Sequence, residues 1–106
     1  MLLFKPEHVA LILAGIKTET RRVWKKQRIK VGSIQLAKTK MVSKDHFAKL
    51  HILEVKTQKL GQISDLEVRR EGYNTLAEYQ LAWERINRIP WDPMQDVYVV
   101  SFELVR

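Results

Sequence analysis

The chain of 106 residues contains no cysteine. Disulfides, thiolate metal sites and cysteine nucleophiles are thereby excluded, and the composition fits a reducing, cytoplasmic setting. Long apolar runs are missing too: none approaches the roughly 20 residues that span a bilayer. The first apolar stretch is interrupted by Lys5, Pro6, Glu7 and His8, so it does not read as a signal peptide. With only 4 glycines, there is no Walker motif, dinucleotide fingerprint or Gly-rich phosphate loop. The histidines His8, His46 and His51 lack metal-ligand spacing, so no metal and no other cofactor is expected.

Acidic residues are scarce in the first part of the chain. Residues 1–60 hold 14 Lys and Arg against 4 Asp and Glu, whereas residues 61–106 hold 5 against 8. Seven of the fourteen residues from Lys17 to Lys30 are basic, and Glu19 is their one acid. Such a patch suits an anionic partner, of which phosphate backbones are the commonest. A solvated surface stretch is the plain alternative.

The length suits one domain over residues 1–106. Met1 to Phe4 reads as a short strand. Pro6 suits a helix start, Val9, Ile12, Leu13 and Ile16 make a stripe at helical spacing, and Gly15 can close it. Strands are expected over Ile34 to Lys40, over Phe47 to Leu60 with a bend midway, and over Val97 to Leu104. Ser64 to Glu67 and Thr75 to Glu78 match the capping box, which marks two helix starts. Gly72 can stop the first of these helices. Leu76, Tyr79, Trp83 and Ile86 share a face of the second. Val97 to Val100 are all apolar and point to burial on both faces. With no crossover helix inside residues 33–60, this α+β pattern favours a small barrel over an open parallel sheet.

The chemistry-bearing run is G-I-K-T-E-T-R-R, from Gly15 to Arg22. If Thr18 to Arg22 is extended, Lys17, Glu19 and Arg21 point one way and Thr20 and Arg22 the other. Arg22 can grip phosphate or carboxylate with two parallel bonds, and Lys17 can act as a point charge, as a buried base or as a partner of helix carbonyls. Arg21, Trp24, Lys25, Lys26, Arg28, Lys30 and Lys38 extend the candidate nucleic-acid surface. Trp24 can stack on a base or anchor its segment. Tyr73 and Trp91 fall in turns at a possible cleft rim, while Tyr79 and Trp83 read as core. Each histidine reads as an ordinary surface or half-buried residue.

The segment Leu13 to Arg22 resembles the G-x-K-T-x-T-x-R signature of ASCH domains, a branch of the PUA-like superfamily. Gly32-Ser33, Glu71-Gly72-Tyr73, Trp83, Trp91-Asp92-Pro93 and Val97 to Glu103 are similar to later elements of that family. The resemblance implies a small PUA-like β-barrel with helices packed around a cleft, and RNA as ligand. One branch hydrolyses the amide of N4-acetylcytidine, with a catalytic Lys, Thr and Glu that fall here on Lys17, Thr20 and Glu71. Another branch is associated with cleavage of single-stranded RNA. Three readings follow: an RNA-binding module, an amidohydrolase acting on a modified nucleoside, and a metal-independent ribonuclease. The expected partner is RNA or a modified nucleoside, with no membrane.

Overall fold

Alternation of apolar and polar residues along β4 (Ala48–Lys59) sets the frame of the molecule. In this computed structural model, which describes residues 1–106, Ala48, Leu50 and Ile52 point inward, while Lys49 is exposed. The pairing register shifts between Ile52 and Glu54, so Leu53 is an extra residue. It bends the strand, and Val55 then takes over packing against the same core. The bend expected midway along this strand is thus a β-bulge.

β4 pairs antiparallel with β3 (Ile34–Lys38) and with β5 (Asp96–Leu104). β1 (Leu2–Leu3) joins β3 in parallel, and β2 (Glu19–Arg22) joins β5 antiparallel. The five-stranded order is β1-β3-β4-β5-β2. β1 and β2 are therefore the two edges, and Arg22 Nη2 donates a 2.7 Å hydrogen bond to the Leu3 carbonyl across the gap between them. The sheet is a half-barrel whose seam is bridged by one guanidinium.

Both faces of β5 are covered, as its continuous apolar run requires. Val100 and Phe102 join Leu2, Phe4, Ile12, Leu50 and Ile52 inside the curl. Val97 and Val99 face the other way, onto Leu60, Val68, Tyr79 and Trp83. That second cluster seats α2 (Asp65–Arg70) and α3 (Leu76–Asn87). Ser64 and Glu67 complete a capping box on α2. On α3, Thr75 accepts from the Glu78 N–H, but Glu78 reaches back to Asn74 rather than to Thr75. α2 ends in a Schellman turn, with Tyr73 N–H bonded to the Val68 carbonyl and Gly72, at φ 101°, to that of Arg69.

The first helix departs from expectation. Pro6–His8 form a 3₁₀ turn and α1 covers only Val9–Leu13. Of the expected stripe, Ile12 is buried, whereas Leu13 and Ile16 are 44% and 55% exposed. The chain turns at Gly15, so Ile16 lies beyond the helix and cannot continue its stripe. The strand after Gly32-Ser33 ends at Lys38 rather than Lys40.

Gly61 lies against Pro93, and a Cβ there would sit 2.6 Å from Pro93 Cβ and 3.0 Å from its Cα and O. Because backbone rather than a flexible tip is in the way, Gly61→Ala is expected to lower stability by about 1–3 kcal/mol in chemical denaturation, as overpacking does. An unchanged midpoint contradicts this packing.

Candidate functional site: a buried ion cluster in a cavity wall

Gly15, at φ 74°, lets the chain reverse after α1, and the Ile16 and Lys17 N–H groups both close on the Leu11 carbonyl. Thr18 then bonds to Arg70 at the end of α2 and to Phe102 of β5. Lys17 is thereby threaded between the sheet and α2, with only 2% of its surface exposed. Its Nζ donates to the Glu71 carboxylate at 2.8 Å, the Glu71 carbonyl at 3.0 Å and the Glu19 carbonyl at 2.9 Å. Three acceptors take all three ammonium protons.

Glu71 is the C-terminal cap of α2, fixed by the Schellman turn beside it. One carboxylate oxygen takes Lys17 and the other takes Arg21 Nη1 at 3.1 Å. Arg21 also reaches Glu67 at 2.6 Å and Gln58 at 3.1 Å, and Glu19 lies 3.3 Å away. The capping carboxylate of α2 thus holds the helix start with one oxygen and Arg21 with the other. Arg70 adds a 3.3 Å contact to Glu19. Burial pushes the Glu71 carboxyl up, but the combined pull of Lys17 and Arg21 holds it below the ordinary carboxylate value. For Lys17 burial prevails over the attraction of Glu71, and its amine falls below the usual lysine value. Its three hydrogen bonds nevertheless require the protonated form.

This cluster forms one wall of a cavity of about 240 Å³. Lys17, Thr20 and Arg22 line it from β2 and its approach and Glu71 from the end of α2, while Tyr73, Tyr79, Trp83 and Asn87 line it from α3 and its approach. Thr20 Oγ1 accepts a 3.0 Å bond from Arg22 Nε. The Arg22 guanidinium lies 5.0 Å from the Phe4 ring centroid and makes no ion pair. Burial lowers its pKa from the ordinary arginine value.

Lys17, Thr20 and Glu71 therefore share one cavity, with Lys17 and Glu71 in direct contact. Arg21 departs from the expected nucleic-acid role: its side chain is fully buried and committed to carboxylates, so it positions Glu71 and has no free face for phosphate. Arg69 and Arg70 do not pair with Glu71. Lys38 donates to the Ser43 carbonyl at 2.7 Å and so clips the β3–β4 connection. Lys25, Lys26, Arg28 and Lys30 are exposed, lie outside the cavity lining and make no ion pairs. Trp24 packs on Tyr98 and against the core. Trp91 sits behind the wall, against Tyr79 and Trp83.

His8 departs from the expectation of an ordinary surface or half-buried residue. It is buried in the cavity wall and its Nε2 is 2.8 Å from Tyr73 Oη. Burial, then the charge of Lys17, lowers its pKa to about 4, so it is neutral at physiological pH. His46 is exposed and His51 pairs with Glu103 on the surface, so no second histidine joins it. No cluster of three or more His, Cys, Asp or Glu is placed to hold a metal, and no helix is long and apolar enough to cross a membrane.

As pH falls, the unfolded chain protonates its histidine at 6.5, before the folded chain does at about 4. Stability from His8 is therefore complete above pH 6.5 and is lost between 6.5 and 4. Glu71, also depressed, adds a loss at still lower pH, through its folded pKa. Glu19, raised by burial, titrates in the opposite sense in any variant that keeps it. His8→Gln is expected to flatten the upper limb by on the order of 2 kcal/mol relative to wild type. Parallel stability–pH curves for the two proteins contradict the burial of a neutral His8.

No sequence-family model matches the chain, and no curated protein does. Solved structures do match in shape. The ASCH domain of Lactobacillus crispatus superposes with a TM-score of 0.73 at 18% identity, over 91% of this chain and 69% of that one. A hypothetical protein gives 0.71 at 16% identity, over 96% and 94%. A variant ASCH protein of Zymomonas mobilis gives 0.66 at 12% identity, over 99% and 69%. The half-barrel with its three helices is common ground among these, and the fold of this chain is that of the ASCH domains.

Proposed function

We propose that this domain binds single-stranded RNA and takes one nucleotide into the cavity. The observation that carries the reading is Arg22: a cavity-lining guanidinium with no carboxylate partner. Of its five N–H donors, one is spent on Thr20 and one on Leu3, and the remainder have no protein acceptor. A partly buried charge in that state favours an anion that can take two parallel bonds, as a phosphate does. The aromatic wall of Phe4, Tyr73, Tyr79 and Trp83 suits a base, and the Trp83 Nε1–H is a buried donor without a partner. The exposed cations from Lys25 to Lys30 begin three residues beyond Arg22, where they can meet neighbouring phosphates.

Fluorescence anisotropy with a short single-stranded RNA is expected to show affinity that falls steeply with salt. Arg22→Ala is expected to weaken binding about tenfold or more, and Arg22→Lys to recover part of it, because lysine keeps the charge but loses the fork. Absence of binding at low salt, or an Arg22→Ala protein that binds as wild type does, contradicts the reading.

A second reading, hydrolysis of the N4-acetylcytidine amide, is favoured by the Lys17–Glu71 contact in a wall that also holds Thr20. In that reaction the Thr20 hydroxyl adds to the acetyl carbon, the C–N bond breaks, and the hydroxyl proton passes to the departing amine. Water then releases acetate from the threonine. The hydrogen bond from Arg22 Nε eases negative charge on Thr20 Oγ1. Lys17, held as an ammonium, suits proton donation or oxyanion stabilisation better than the role of resting base. Chromatography of free N4-acetylcytidine is expected to show cytidine and acetate with wild type and none with Thr20→Val. No product with wild type removes this reading and leaves RNA binding standing.

A further inference from the structure

A second hollow, of about 320 Å³, is lined by Trp24, Lys25, Thr57, Asp96, Val97 and Tyr98. We propose that it is a second nucleotide subsite, where the base next to the one in the cavity lies against Trp24 and Tyr98 and Lys25 holds its phosphate. The proposal rests on the RNA-binding reading above.

Register places the two hollows together. Tyr98 is the cross-strand partner of Arg22, and Trp24 follows Arg22 by two residues. The Trp24 and Tyr98 rings are 5.8 Å apart and tilted by 39°. Both are half-buried, so the pair is anchored yet offers ring surface. Anchored aromatics beside cations are how sequence-tolerant binding of single strands is built. Charge fits as well. Lys25 makes no ion pair, and the one acid in the lining, Asp96, is held at 2.6 Å by Lys59. Lys26, Arg28 and Lys30 lie further along the same exposed segment.

The test compares a pyrimidine nucleoside monophosphate with a single-stranded RNA hexamer, by anisotropy competition and tryptophan quenching. Wild type is expected to bind the hexamer more tightly than the mononucleotide. Trp24→Ala is expected to weaken the hexamer roughly 5-fold or more, as loss of one stacked base does, while the mononucleotide binds as before. Since Trp24 also packs on the core, Lys25→Ala serves as the second variant: it is exposed, and it should weaken the hexamer alone with an unchanged melting temperature. A hexamer that binds no better than the mononucleotide overturns the second subsite, and so does a hexamer indifferent to both substitutions. Binding of neither probe to wild type overturns the RNA-binding reading itself.

Discussion

The contact between the Lys17 ammonium and the Glu71 carboxylate organises the rest of the site. Both groups are almost wholly buried, and each alone would be costly to desolvate. Together with Arg21, Glu67 and Glu19 they form a network that ties β2, the end of α2 and the start of α2 into one rigid wall. Removing one member leaves an uncompensated charge, which is why such clusters define a geometry more than they add stability. Two ordinary helix devices set it up. The capping box of α2 delivers Glu67, and the Schellman turn at its other end delivers Glu71 and Tyr73.

Against that wall Arg22 stands out by contrast. Arg21, its neighbour, faces the carboxylates and is neutralised. Arg22, one residue on and pointing the other way, meets a carbonyl, a hydroxyl and an aromatic ring. Strand alternation thus divides two identical side chains between two jobs: one positions Glu71, and the other keeps unspent donors in the cavity. The same guanidinium bridges the two edges of the half-barrel, so the seam of the fold and the proposed ligand meet at one residue. Neutral His8 lies in the same wall, its protonation opposed by burial and by the charge of Lys17.

Much of this was legible in the residues. Strand alternation, two helix starts, the Gly72 stop and the double burial of the last strand follow from periodicity and capping chemistry. Extension of Thr18 to Arg22 already separates the faces of Arg21 and Arg22. Local pattern did not reveal that two of the carboxylates holding Arg21, Glu67 and Glu71, lie more than 40 residues away, because pairing across elements leaves no trace in spacing. His8 had a signal, since it precedes buried Ile12 by four residues and so shares its helical face. Asn87 likewise follows Trp83 by one turn. The overlong reading of α1 came from extending an apolar stripe past the point where the chain turns at Gly15. Lys38 looked like part of a basic surface because a sequence shows charge but not the carbonyl that occupies it.

Ultraviolet crosslinking of a bound single-stranded RNA, with adducts mapped by mass spectrometry, tests the central claim most directly. The account predicts adducts on the cavity wall at Phe4, Tyr73, Tyr79 or Trp83. Crosslinks confined to the exposed residues of α2, such as Leu66 and Arg69, with the wall unmodified, would contradict it.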